Sequence, residues 1–308
     1  MISLLTLSPA LILLIAACLL SRIAGPENPE NPPPAPIDVE NVPVRTVAVD
    51  DIEIAYRAFG EGPPLVLIMG FAGTLDMWGV RALQEFARSY RVIVFDNRGM
   101  GRSTSSGKEY TVSLCADDTA GLMAALGIEE AHVLGWSMGA DIALELARRH
   151  PERVAKLVLY AADPGGDESV PLNPAVEAQL LDTSGTDIER GMRLLSLLFP
   201  AEWMAKHPDP REYFPNVTES SSPAAIARQG GAMGARTGVS AWLGSITQPT
   251  LLIVGSVDVI APPQNSFFIG ERIPSAWVVQ VRGAGHGLMY QFPAEFAAVV
   301  HVFLERAW

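Results

Sequence analysis

The sequence predicts an α/β domain: a doubly wound, mostly parallel sheet that carries an all-helical insert late in the chain. Three observations predict it. Short, continuous apolar runs such as "PLVLIMG" and "RVIVFD" alternate with longer amphipathic stretches from about residue 44 onward. Runs of that kind suit strands buried on both faces, and strand–helix alternation suits right-handed crossovers within one sheet. The alternation lapses between about residues 165 and 247, where only helical patterns occur, and then resumes.

The elements follow in order. "VRTVAVDD" and "IEIAYRAFG" read as an opening hairpin with its turn near Asp50-Asp51. "PLVLIMG" is a buried strand, "LDMWGVRALQEFARSY" a helix and "RVIVFD" the next strand. "TVSLCADDTAGLMAALG" is helical from about Thr111, and Gly127 suits its C-terminal cap. "AHVLGW" is a strand, "MGADIALELARRH" a helix closed by Pro151, and "VAKLVLYAA" a strand. In the insert, "IERGMRLLSLLFPAEWMAKH" and "SPAAIARQGGAMGART" read as helices. "PTLLIVGSVD" and "SAWVVQVRG" restore the strands, and "PAEFAAVVHVFLERAW" is the closing helix. A helical insert at this point predicts a lid over the carboxyl ends of the strands, where open α/β sheets bind ligands.

The first 43 residues have a different character. "MISLLTLSPALILLIAACLL" is almost wholly apolar, about the 20 residues needed to cross a bilayer. Residues 1–24 are expected to be an uncleaved anchor or a signal segment, associating the chain with a membrane. Within them "IAAC", ending at Cys18, matches the lipidation box of bacterial lipoprotein signals, although no Lys or Arg precedes the run and Leu-Leu follows it. Residues 25–43 hold seven prolines and read as a stiff, extended spacer. The globular domain is expected to span 44–308.

Composition narrows the function classes. A net charge of −12 over 308 residues, with Lys and Arg scattered, argues against a nucleic-acid partner. The two cysteines, Cys18 and Cys115, form no C-x-x-C or zinc spacing, so no metal ligand set is expected.

The chemistry centres on "LGWSMGAD". Ser137 stands between Gly135 and Gly139 at a strand-to-helix junction, a setting in which a serine is held strained and exposed as a nucleophile. A serine hydroxyl needs a general base. His132, His150, His207 and His301 fall on strand, helix or insert patterns, whereas His286 lies in the loop "GAGHG" after the last strand. The base needs a carboxylate to fix its tautomer. Asp258, just beyond "LLIVG", is the first choice, and Asp163, after the preceding strand, is the rival. Two N–H donors should stabilise a developing oxyanion. These are the backbone amides of Met138 and of Phe71 in "GFAG". The polar loop "FDNRGMGRS" lacks phosphate-loop spacing, and Asp96 is expected to pair with Arg98 or Arg102.

Taken together, "GFAGTLDMW", "FDNRGMGRS", "GWSMGA", "PTLLIVGSVDVIAPP" and "GAGHG" occur in the order found in the α/β-hydrolase superfamily, which residues 44–308 resemble. The resemblance implies an eight-stranded sheet with a helical cap, a Ser-His-Asp triad and no cofactor. A serine at the elbow departs from the epoxide-hydrolase and dehalogenase branches, and the absence of "GGSWG" departs from the proline iminopeptidases. What it implies is cleavage of a small-molecule carboxylic ester through an acyl-enzyme. The same triad also serves carbon–carbon hydrolases, lactonases and cofactor-free perhydrolases, and some members of the fold act as ligand receptors. The insert carries Leu194, Leu195, Leu197, Leu198, Phe199, Trp203, Met204 and Trp242. If some face the cavity, Leu198 and Trp203, with Trp136 beside the nucleophile, would wall a pocket for a small to medium apolar substrate. Oligomeric state and substrate identity are not legible.

Overall fold

The computed structural model describes residues 4–7 and 37–308, apart from residue 183. Among the described residues nine strands form one sheet: β1 (Leu4–Leu7), β2 (Arg45–Val49), β3 (Ile52–Phe59), β4 (Pro64–Ile68), β5 (Arg91–Phe95), β6 (Ala131–Trp136), β7 (Val154–Tyr160), β8 (Thr250–Gly255) and β9 (Ala276–Val281). Their order across the sheet is β1-β9-β8-β7-β6-β4-β5-β3-β2. Only the β2–β3 and β3–β5 pairings are antiparallel. The eight strands of the globular domain are those the sequence predicts. The ninth, Leu4–Leu7, runs parallel to β9 with Leu4 opposite Val278 and Leu7 opposite Val281. The rest of the expected anchor, Cys18 and most of the proline-rich spacer lie outside the described residues. No helix among the described residues is long and apolar enough to cross a membrane.

The apolar runs dictate which strands are central. Leu251, Leu252, Ile253 and Val254 of β8 are fully buried, with alternate side chains feeding the two cores that flank the sheet. Burying one such side chain contributes about 1.5–3 kcal/mol. By contrast β2, which is mostly exposed, forms the edge hairpin with β3 through Asp50 at φ 51°. Two helical runs break where local chemistry forbids continuation. "LDMWGVRALQEF" becomes a 3₁₀ turn (Leu75–Met77) and a helix (Val80–Phe86), because Trp78 turns inward, extended and buried, onto Trp136. In the insert, Pro200 forces Phe199 into an extended conformation and separates Asp187–Leu198 from Ala201–Lys206.

The insert between β7 and β8 is helical, as expected: Pro174–Leu181, Asp187–Leu198, Ala201–Lys206 and Pro223–Gly234. Ser222 caps the last of these by accepting from the Ala225 N–H. Leu195, Leu198 and Phe199 are buried in the core on one face of the sheet and seal the cap onto it.

Candidate active site

Strand β6 ends at Trp136 and the helix Met138–Arg149 begins two residues later, leaving one residue to make the turn. Ser137 makes it at φ 55° and ψ −123°, a conformation that costs a non-glycine residue about 1–3 kcal/mol. The surroundings enforce it. The Ser137 N–H donates to the Tyr160 carbonyl (2.8 Å), and the Ser137 carbonyl accepts from Ala140 (2.7 Å). The flanking glycines are a steric necessity. A Cβ on Gly135 would lie 2.1 Å from the Gly139 oxygen, and one on Gly139 would lie 2.0 Å from the Ile68 oxygen. Ser137 Oγ makes no hydrogen bond among the described residues.

His286 is buried (3 % exposed) in the loop after β9, and its Nδ1 lies 2.8 Å from Asp258 Oδ2. The other oxygen, Asp258 Oδ1, accepts from the Ile260 and Ala261 amides at 2.9 and 2.8 Å. With Nδ1 donating to the carboxylate, Nε2 of the neutral ring is left as the acceptor, the form a general base requires. The Tyr160 hydroxyl donates to the His286 carbonyl. Tyr160 therefore holds the elbow by its own carbonyl and the histidine loop by its hydroxyl. Its ring stacks on Trp136 at 5.7 Å and 9°, and the Trp136 ring lies 5.5 Å from His286.

The rival acid is committed elsewhere. Asp163 Oδ1 accepts from Gly165 N and Arg236 Nη2, both at 2.7 Å, and Oδ2 accepts from Ser169 Oγ and Asn265 Nδ2, both at 2.6 Å. Arg236 also pairs with buried Asp141, whose carboxyl is pushed up to about 7 by desolvation, with Arg236 opposing the rise. The other four histidines lie against other groups, and the buried Nδ1 of His132 has no hydrogen-bond partner among the described residues. His132 meets the Tyr90 ring edge-on, His150 bonds Asp117 at 2.8 Å, His207 stacks on Trp203 and His301 stacks on Tyr90.

The amides of Met138 and Phe71 are both without a hydrogen-bond partner among the described residues, whereas Ala72 N donates to Gln229 Oε1 and Gly73 N to the Gly70 carbonyl. Gly70 presses on the elbow, since a Cβ there would sit 3.2 Å from the Ser137 Cβ. Asn97 Nδ2 donates to the Met69 carbonyl at 2.9 Å and anchors the start of this loop.

Asp96 departs from expectation, because it pairs with neither guanidinium. Its oxygens accept the backbone amides of Leu75 (2.7 Å) and Arg102 (3.0 Å), while Arg98 grips Asp118 and Arg102 pairs with Glu219. Burial pushes the Asp96 carboxyl up to about 6 despite those amides. A short carboxylate beside a tight turn meets backbone donors before it reaches a long side chain.

The expected pocket residues are placed as follows. Trp136 and Leu198 are buried in the core, Trp136 against Tyr160 and Tyr290 and Leu198 receiving the Gly287 N–H on its carbonyl. Trp203 is half-buried between Phe199, His207 and Tyr213, and lines a cavity of about 830 Å³ with Tyr290 and Gln84. A second cavity of about 770 Å³ is lined by Asp141, Arg148, Arg236 and Trp242. Neither Ser137 nor His286 lines either cavity. Sequence reasoning missed Tyr160 and Gln229. Tyr160 ends a strand pattern and Gln229 is one polar residue in a helix, so neither carries a motif.

Comparison with known proteins identifies the fold family. A "Putative carbamate hydrolase RutD" of Agrobacterium fabrum is 27% identical over 255 residues, covering 82% of this chain and 97% of that protein. A pimeloyl-[acyl-carrier protein] methyl ester esterase of Aeromonas hydrophila is 28% identical over 260 residues, covering 82% and 100%. Among solved structures, a bacterial membrane phospholipase A superposes with a TM-score of 0.64 at 25% identity, covering 96% of this chain and 91% of its own. The sequence profile of the alpha/beta hydrolase fold family matches residues 63–293, three quarters of the sequence, and the chain belongs to that family.

Proposed function

We propose that the chain is a serine hydrolase that cleaves a carboxylic ester through an acyl-enzyme. The observation that carries this reading is the Asp258–His286 hydrogen bond on the loops that flank a serine held in a strained elbow. Ser137 Oγ attacks the ester carbonyl as His286 Nε2 takes its proton, and Asp258 stabilises the imidazolium that results. The oxyanion is received by the amides of Met138 and Phe71, at the positive end of the elbow helix. Collapse expels the alcohol, which takes the proton from His286. Water then repeats the sequence on the acyl-enzyme and frees the acid. The esterase among the relatives supports the ester class. Phe71, 39 % exposed on the loop against the elbow, favours an apolar acyl or alcohol group.

Membrane attachment through residues 1–20 belongs to the same proposal. It is supported by the apolar run and by the phospholipase match, which at 96% of this chain reaches further than residues 37–308 extend. It requires Leu4–Leu7 to leave the sheet edge, because residues 8–20 alone are too short for a span of about 20 residues. Full-length protein that stays with membranes through a carbonate wash is the expected result; recovery in the soluble fraction would refute attachment.

Wild type and Ser137→Ala should be compared on aryl esters of rising acyl length, with fluorophosphonate labelling of each. Hydrolysis and labelling by wild type alone are expected. Labelling without turnover of any ester, but with cleavage of a lactone or a 1,3-diketone, would move the reaction to another bond while keeping the nucleophile.

A further inference from the structure

Gln229 belongs to the cap helix Pro223–Gly234, yet its side chain ends beside the loop that bears Phe71. It is fully buried (0 % exposed). Its orientation is settled by its partners. The Ala72 N–H can only donate, so the atom 2.5 Å from it is the amide oxygen. The amide nitrogen then donates to the Tyr110 hydroxyl at 2.9 Å. Every polar atom of the Gln229 amide thus works between two fixed groups. Ala72 stands at φ 57°, a left-handed conformation that a residue with a Cβ adopts only when its neighbours hold it there. The next helix residue, Gly230, lies against the Phe71 ring, 3.5 Å from where its Cβ would be.

Resting on the serine-hydrolase reading, we propose that Gln229 is a positioning residue, contributed by the cap, that fixes the oxyanion loop by holding the Ala72 N–H. With the Ala72 and Gly73 amides committed, Phe71 N–H is the amide of residues 71–73 left for substrate. Preorganised donors are worth most when they cannot reorient. Without the Gln229 oxygen, Ala72 is free to leave its strained conformation and to rotate the adjoining peptide, which carries the Phe71 carbonyl and shifts its N–H. The oxyanion hole is therefore complete only with the cap seated.

The test compares wild type, Gln229→Met and Gln229→Glu on one aryl ester, with inhibition by an aryl trifluoromethyl ketone, whose serine adduct carries the oxyanion. Methionine keeps the length and removes the acceptor; glutamate keeps an acceptor whether ionised or protonated. For Gln229→Met the expected result is a kcat lower by about 10- to 100-fold with KM within about threefold. The ketone should weaken in parallel, and Gln229→Glu should recover most of both. Equal losses in the Met and Glu variants would reduce Gln229 to packing and overturn the proposal. So would a Gln229→Met enzyme with unchanged kcat and ketone affinity. If Gln229→Met fails to fold, Tyr110→Phe releases the far end of the amide and should lower kcat by about threefold to tenfold; no change there overturns the proposal too. Wild type that neither labels with fluorophosphonate nor turns over any ester would instead remove the serine-hydrolase reading, and this proposal with it.

Discussion

Replacing Asp258 by asparagine tests the base and its acid at once, and the structure says which way the new amide must face. Asp258 Oδ1 accepts two backbone amides, from Ile260 and Ala261, and these donors can be met only by an oxygen. The introduced NH₂ must therefore take the Oδ2 position, 2.8 Å from His286 Nδ1. Two donors cannot face each other, so the ring moves its proton to Nε2 and presents Nδ1 as the acceptor. An Nε2 that carries a proton cannot take one from Ser137. A base locked in the wrong tautomer lowers kcat by about 10⁴-fold, equivalent to about 5 kcal/mol of transition-state stabilisation. Little of that should appear in folding stability, because the two amide contacts survive and shape is conserved. The assay is steady-state ester hydrolysis, with urea denaturation as the folding control. Asp163→Asn serves as the comparison; it should lose stability by disturbing Arg236, Ser169 and Asn265 while keeping kcat within about tenfold of wild type. An Asp258→Asn enzyme within tenfold of wild type, or an Asp163→Asn enzyme that is folded but inert, would refute the assignment.

Other predictions follow from strain, close approach and burial. Ser137→Gly should raise stability by about 1 kcal/mol, since glycine adopts φ 55° without strain, while abolishing labelling; unchanged or lower stability in urea would show that the elbow is unstrained. Gly139→Ala sets a Cβ 2.0 Å from the backbone oxygen of Ile68, so the strand and helix must part. A loss of about 3 kcal/mol is expected, with fluorophosphonate labelling slowed as well, and wild-type behaviour in both would contradict the packing described. His132 is pushed down to about 4 by burial, with Lys156 adding to the effect. The folded state then binds fewer protons than the unfolded state below an ordinary value of 6.5, so stability present above pH 6.5 is lost as pH falls towards 4. Discounted for solvent screening, the loss is about 2 kcal/mol. His132→Phe should flatten the difference in urea midpoint between pH 7 and pH 4.5, and an equal fall in both proteins would assign it to other groups.

How much of this was legible in the sequence follows from the range over which each constraint acts. The elbow was legible because its requirement is steric and local. Strand and helix pass so closely at Ser137 that only glycine fits two residues to either side. The pairing of His286 with Asp258 was legible because strand ends are marked by the apolar runs, and their loops must share the carboxyl edge of the sheet. Asp96 was misjudged because sequence shows the nearest cations and hides the nearer backbone amides of Leu75 and Arg102. Trp136 was legible as a neighbour of the nucleophile, but not as a buried platform, since which face of β6 it occupies depends on Tyr160 and Tyr290 beneath it. The strand Leu4–Leu7 was hidden by its own composition, because an apolar run suits a bilayer and a sheet edge equally well.

What the sequence conceals most completely is how two independent halves of the site are held in register. Tyr160, which holds Ser137 by its carbonyl, reaches His286 across 126 residues of chain, and Gln229 connects the cap to Ala72 across 157. Both work through hydrogen bonds between groups that no local pattern singles out. The consequences differ with position. Tyr160 is rooted in a central strand, so the spacing of Ser137 and His286 is tied to the most stable part of the molecule. Gln229 is rooted in an insert that touches the sheet layer through a few buried side chains, so the loop that bears Phe71 is tied to one of the less deeply anchored parts. Substrates that seat the cap well should therefore gain in kcat, whereas substrates that merely fill space near Ser137 should gain in KM alone. An acyl-length series read as kcat and KM separately distinguishes the two, and a gain confined to KM at every length would uncouple the cap from the chemistry.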